Sequence, residues 1–259
     1  MEGYLVKSKQ NVSSMSILEL QSSQGNLDKW SGFVGGQRCY IKACSSRQGS
    51  RNYECEAECI ASRLAIMLGV PDVVMYYNDI LNLGSRSYTV CCSKDFNSIG
   101  GSYYRSYNRI LAGSLNCYGL EKYRKVVSFD PVLRQRIDTI LIFDSIIGNN
   151  DRHLRNIGVL ELSDGSKNIP LFDNGNSLFY DKNNDFIRNI LKSDLDYLPC
   201  KPFFSTFGNQ IKLCDLSTIR LKRVQKEAVY RLVNSYFTGE RAKLICKFLI
   251  LRLRRYNLV

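Results

Sequence analysis

The sequence predicts an α+β fold in two lobes, with residues 1–95 as a small β-rich lobe carrying one helix and residues 96–259 as a larger, mainly helical lobe. Three observations predict it. Short apolar runs bounded by Gly, Ser and Asn recur through the first part, interrupted by a single helical pattern at 53–68. A Gly/Ser/Tyr-rich stretch at 97–119 then shifts the composition and reads as a flexible boundary. Beyond it, apolar residues recur at helical spacing near 130–147, 217–237 and 240–256.

In chain order, residues 12–20 suit a strand or a helix edge, and the pattern does not choose. Residues 21–30 are small and polar. Gly35-Gly36 then divides two β-like runs, 30–34 and 38–43. A strand, a loop of small residues and a returning strand can lay backbone N–H groups over phosphates, which makes Ser22, Ser23 and Gly25 candidates for nucleotide binding. Such loops also serve simply as turns. Lys42 sits inside the run Cys39-Tyr40-Ile41-Lys42-Ala43. A lysine between strand hydrophobics can point to solvent, or it can hold nucleotide phosphates when a helical glutamate steadies it. The helix at 53–68 has Ile60, Ala61, Leu64, Ala65 and Leu68 on its apolar stripe, and Gly69 closes it. Glu54 and Glu58 share one face, and Glu58 is preferred as the partner of Lys42. Residues 70–77 and 86–93 read as β-runs separated by an Asn/Gly/Ser loop.

In the second lobe, Asp130-Pro131 suits a helix start, with Asp130 as N-cap and Pro131 in first position. Leu133, Ile137, Ile140, Leu141 and Ile147 form the stripe of that helix, which ends at Gly148. Residues 198–204 form a Pro-broken loop assigned to the edge of a substrate groove. The last two helical patterns complete the core.

The chemistry concentrates in Gly148-Asn149-Asn150-Asp151-Arg152-His153-Leu154-Arg155-Asn156 and the later Asp173-Asn174-Gly175. Two short strands, 157–162 and 168–172, flank the turn Ser163-Asp164-Gly165-Ser166, so a hairpin returns Asp173 beside Asn156. An Asp, an Asn five positions on, a hairpin and then Asp-x-Gly is an order that phosphoryl-transfer enzymes use. Asp151 would accept the proton of an attacking hydroxyl, while Asn156 and Asp173 would hold Mg²⁺, a hard cation that prefers oxygen ligands. His153, the only histidine in the chain, is assigned a bracing role by hydrogen bonding rather than that of general base. Arg152 and Arg155 have three readings: phosphate, a phosphorylated loop or solvent.

Gly-Asn-x-Asp-Arg-His-x-x-Asn with a downstream Asp-x-Gly resembles the catalytic segment of the HipA-like serine/threonine kinases, and more distantly that of the phosphatidylinositol kinases. The resemblance is strong over 146–178, fair over 40–96 and faint elsewhere. It implies a protein-kinase-like fold and ATP- and Mg²⁺-dependent transfer to a Ser/Thr hydroxyl of a protein, the chain itself included. It also implies that Cys92 and Ser93 lead to the hinge that meets adenine, and that Ser22 or Ser23 can be phosphorylated. An antitoxin-type partner belongs to the same picture. Two other functions fit the motif: a lipid or small-molecule kinase, and a catalytically silent kinase-fold binding module. Asn174 replaces the Phe of the Asp-Phe-Gly of ordinary protein kinases, so their Phe-based switch is not carried over.

Composition narrows the rest. Thirty-six Lys and Arg against 24 Asp and Glu give a net charge of +12, which favours anionic partners. The basic clusters at 220–223 and 252–255 lack interleaved aromatics, so no nucleic-acid-binding module is inferred. Ten cysteines without a Cys-x-x-Cys, beside one histidine, argue for reduced, partly buried thiols rather than zinc or disulfides. No apolar run approaches the ~20 residues of a membrane span. The opening residues lack a signal-peptide pattern, which points to the cytoplasm, with a signal-independent export route left open.

Overall fold

The structure, a computed structural model, describes residues 16–21, 29–34, 36–44, 52–83, 85–96, 102–114 and 116–259. Five antiparallel strands, β1 (Ser16–Gln21), β2 (Lys29–Val34), β3 (Gln37–Ala43), β4 (Tyr76–Leu83) and β5 (Arg86–Lys94), form one sheet in the order β1-β2-β3-β5-β4. The helix α1 (Glu54–Met67) packs on β4 and β5.

Alternation along β3 decides what this sheet offers α1, because successive side chains leave a strand on opposite faces. Ile41 and Ala43 join Trp30, Leu81, Val90 and Cys92 in an apolar cluster, with the Trp30 and Tyr88 rings edge to face at 5.5 Å. Cys44 and Cys91 join Cys55, Cys59, Val74 and Tyr76 in another, and since Cys55 and Cys59 belong to α1, this is the face beneath the helix. Lys42, between Ile41 and Ala43, is therefore turned toward α1 and not toward solvent.

The apolar stripe of α1 has a second destination. Ala57, Ile60, Ala61, Leu64, Ala65 and Leu68 belong to the main core of the C-terminal body. Gly69, at φ 72°, turns the chain out of the helix, and the Lys222 N–H donates to the Leu68 carbonyl at 2.8 Å.

Downstream, β6 (Tyr103–Ser106) runs into the short helix α2 (Tyr107–Ile110). It pairs with β7 (Gly158–Glu161), which pairs with β8 (Lys167–Asn168). The helix α3 (Gly119–Phe129) leads through the 3₁₀ turn Pro131–Leu133 into α4 (Arg134–Ile147). Then come α5 (Asn184–Ile190), α6 (Phe207–Ile211), α7 (Lys226–Asn234) and α8 (Gly239–Arg255). Every residue of α4 from Ile137 to Ile147 is buried, so this helix is the axis of the C-terminal body. Leu171, just past the hairpin, bridges to Val73, with Val74 N–H donating to the Leu171 carbonyl at 2.9 Å.

Several expectations change. The strand placed at 70–77 is instead β4, and the supposed loop at 78–83 is its body. Asn78 and Asn82 are exposed on this sheet-edge strand, where polar residues are tolerated and imitate a loop. The stretch at 97–119 contains β6 and α2, because β6 pairs with a strand more than fifty residues away and has no local signature. Asp130 and Pro131 do open the helical segment, as N-cap and first residue of the 3₁₀ turn that runs into α4, but the Asp130 side chain makes no capping bond and pairs with Lys167 at 3.5 Å instead. Within 217–237 only α7 is an α-helix, and the segment opens in a turn in which Asp215 accepts from the backbone N–H and hydroxyl of Ser217. Finally, Cys44 and Cys55 form a disulfide with Cα atoms 5.3 Å apart, which overturns the expectation of reduced thiols throughout; the end of β3 and the start of α1 meet there. Among the described residues no helix is long and apolar enough to cross a membrane.

Candidate active site

Lys42 lies under α1 and meets two carboxylates at once. Its Nζ is 2.5 Å from Glu58 Oε1 and 2.5 Å from Asp173 Oδ1, while Glu54 Oε1 is 3.9 Å away. The distances settle the choice between the two glutamates for Glu58. Burial opposes the charge on Lys42, but Asp173 and Glu58 outweigh it and hold the ammonium well above its ordinary range. Burial also lifts Glu58, against the pull of Lys42 and of the Asn174 N–H, which donates to Glu58 Oε2 at 2.7 Å. Burial would raise Asp173 too, yet Lys42 and the Asn156 amide hold it below the usual carboxylate range. Glu54, partly buried and farther from the ammonium, is pushed up to about 7 by desolvation.

The hairpin delivers Asp173 as its spacing predicts. Asn156 Nδ2 donates to Asp173 Oδ2 at 2.9 Å, and Asn156 Oδ1 accepts the His153 N–H at 2.9 Å. Asp173 sits at φ 57°, and its N–H donates to the Tyr76 hydroxyl at 3.3 Å. A Cβ at Gly175 would lie 2.3 Å from Glu54 Cγ, so the glycine of Asp-x-Gly is there for α1 to close over the loop.

Asp151 follows the left-handed Gly148 that ends α4. Its N–H donates to Asn149 Oδ1 at 3.3 Å; its carboxylate accepts from Asn176 Nδ2 at 3.0 Å and Lys201 Nζ at 2.7 Å. Two neutral or cationic donors fix its two oxygens in place while leaving it about a third exposed, at 35%.

Arg152 resolves its three readings differently from any of them. It is fully buried, pairs with both oxygens of buried Asp144 at 2.8 and 2.9 Å, and donates to the Phe172 carbonyl and Asn174 Oδ1. One guanidinium thus ties α4, the Asp151 loop and the Asp173 loop together, using the planar fork that suits Arg to this work. The bracing expected of the His153 ring is not seen: only its backbone holds the loop, with its carbonyl accepting the Asn156 N–H at 3.0 Å, while its Nδ1 is buried and has no hydrogen-bond partner among the described residues, and burial lowers the pKa of the ring.

The other candidates stand apart from this cluster. Cys92 is on the sheet face away from α1, and Ser93 is buried opposite Tyr40. Ser22, Ser23 and Gly25 lie outside the described residues. Residues that sequence reasoning passed over are Tyr76, Asp144, Asn176 and Lys201. Of these, only Asp144 left a signal, as an acid inside the apolar run 140–147.

The donor set suits Mg²⁺ in one respect and restricts it in another. Asp173 offers hard oxygen atoms, but Asn156 turns its Nδ2 to Asp173 and its Oδ1 to the His153 N–H, and among the described residues no group of three or more His, Cys, Asp or Glu is arranged to hold a metal ion. A cation here fits only with nucleotide phosphates and water completing its shell, the usual habit of Mg²⁺.

Known proteins enter through shape alone. The chain superimposes on the crystal structure of a Helicobacter pylori proinflammatory kinase, CtkA, with a TM-score of 0.68 at 17% identity, covering 95% of this chain and 94% of that one. A structure of hydra Fam20 with sugar is more remote, with a TM-score of 0.48 at 15% identity over 94% of this chain and 86% of that one. No protein-family model matches the chain, and no curated protein matches it in sequence. The fold is that of the CtkA structure.

Proposed function

We propose that this kinase-like fold carries an ATP- and Mg²⁺-dependent kinase that phosphorylates Ser/Thr hydroxyls of proteins, including its own, in the manner of the HipA-like enzymes. The observation that carries the reading is one lysine held between Glu58 and Asp173 while Asn156 holds the other oxygen of Asp173. A lysine drawn between fully buried Glu58 and an Asp173 that lies 131 residues away in sequence is the kind of costly charge cluster that functional sites gather.

In this mechanism Lys42 keeps Glu58 and turns from Asp173 to the nucleotide phosphates, and Asp173, with Asn156 once its amide oxygen faces the site, would hold the cation. Bound Mg²⁺ supplies compensation for the charge on the phosphates. Asp151 orients the acceptor hydroxyl and takes its proton as the oxygen bonds to the γ-phosphorus. The bond to the β–γ bridging oxygen breaks, and ADP leaves. Cys92 and Ser93, at the end of β5, lead to the segment assigned to adenine.

The test is incubation of the purified chain with Mg²⁺ and γ-labelled ATP, alone and with a generic protein substrate. Labelling should occur and should fall by about 10²–10⁴-fold in Asp151→Ala, the range for loss of a general base. Normal ATP binding without labelling of either protein would end this reading, and equal labelling by Asp151→Ala would remove Asp151 from its role.

A further inference from the structure

A cavity of about 300 Å³ opens beside the Asp151 loop, lined by Asn108, Lys122, His153, Arg155, Lys201 and Pro202 together with Leu154. Lys122, Arg155 and Lys201 are cations, and no carboxylate is among the described lining residues. The lining is held by specific bonds. Lys122 Nζ donates to the Pro202 carbonyl at 3.3 Å, and the side chain of buried Gln210 donates to the Lys201 carbonyl at 2.7 Å while accepting the Phe203 N–H at 3.1 Å. Lys201 also reaches Asp151 Oδ1 at 2.7 Å, so one side chain serves both the cavity and the carboxylate that would receive the acceptor's proton. Lys201 has Asp151 as its counter-ion, and Lys122 and Arg155 add two further positive charges to the same concave lining, which favours an anion there. The nucleotide's own phosphates are matched elsewhere, by Lys42 and the Asp173 loop.

We propose that this cavity is a subsite for an anionic side chain of the protein substrate, a carboxylate or a phosphate, lying within about three residues of the acceptor hydroxyl. An extended chain advances roughly 3.3 Å per residue, and the cavity shares residues with the catalytic loop, which sets that short span. The inference rests on the kinase reading and deepens it: acceptors are acidic segments, in keeping with the net charge of +12.

The experiment uses the full chain with Mg²⁺-ATP and serine peptides flanked at one to three positions by Ala, Glu, phosphoserine or Lys. Glu or phosphoserine peptides should exceed the Ala series at least tenfold in kcat/KM, mainly through KM, and the better of the two identifies the anion. Lys122→Glu combined with Arg155→Glu should invert the order, so that Lys-flanked peptides become the better substrates, a gain that a merely damaged loop cannot produce. Equal rates for Ala, Glu and phosphoserine peptides, or an equal loss on all peptides in the double variant, would overturn the subsite. Labelling of phosphoinositide vesicles with no peptide labelled would also overturn it. Autophosphorylation measured alongside separates the failures: if it persists with a flat peptide preference, only the subsite fails, and if neither it nor any peptide labelling occurs, phosphotransfer itself fails.

Discussion

Replacing Glu54 with glutamine should make the nucleotide-free protein more stable, and only above a defined pH. Glu54, partly buried with its side chain 15% exposed, packs against Gly175 and stands 3.9 Å from Lys42, which is already held by Glu58 and Asp173. Its carboxyl is raised from 4.5 to about 7, by burial first, with Lys42 opposing. Below about 4.5 it is protonated folded or unfolded and contributes no pH dependence. Between 4.5 and 7 the folded state holds a proton that the unfolded chain releases, so stability falls as pH rises; above about 7 the whole penalty is present. At about 1.4 kcal/mol per pH unit, that interval amounts to roughly 3 kcal/mol. Glutamine keeps the shape and removes the titration. Urea unfolding of wild type and Glu54→Gln from pH 4.5 to 8.5 should show a gap that opens across this window to about 3 kcal/mol in favour of the variant. A gap that stays constant with pH, or that widens in favour of wild type as pH rises, would refute the assignment.

Two further substitutions test the frame of the site. Gly175→Ala pushes a methyl into the Glu54 side chain at a spacing of 2.3 Å and should cost about 1–3 kcal/mol in urea unfolding. Much of that cost should return in the Gly175→Ala, Glu54→Ala double variant; strictly additive losses would mean that the clash lies elsewhere. Arg152→Ala leaves buried Asp144 uncompensated and should cost about 3–5 kcal/mol, so an unchanged unfolding midpoint would show that the buried pair is not what joins the two loops.

The parts of the site that were legible in sequence are those with local grammar. Asp151, Asn156 and Asp173 stand at fixed spacing around an Asp-Gly turn, and the hairpin between Asn156 and Asp173 folds the chain back so that the two meet. Lys42 and Glu58 were legible because a β-run and a helical stripe each have a period, although the direction of Lys42 depended on which sheet face α1 would cover. What escaped was long-range. Lys201 approaches Asp151 from 50 residues away, Tyr76 meets Asp173 across 97, and β6 finds β7 with no signal of its own. The Cys44–Cys55 bridge escaped for a related reason: its spacing matched no recurrent motif, and only the approach of β3 to α1 makes it natural.

The embedding of α1 has a consequence for control. Its inner half, from Ala57 to Leu68, is built into the core of the C-terminal body, and the Cys44–Cys55 bond fastens its first turn to the strand that bears Lys42. Withdrawing Glu58 by swinging this helix outward would expose six apolar side chains and strain a covalent link, so the helix cannot act as a cheap on–off lever. On the kinase reading proposed above, Glu58 keeps its place beside Lys42 throughout, and restraint acts through access, by whether an acceptor reaches the Asp151 side, rather than through withdrawal of this helix.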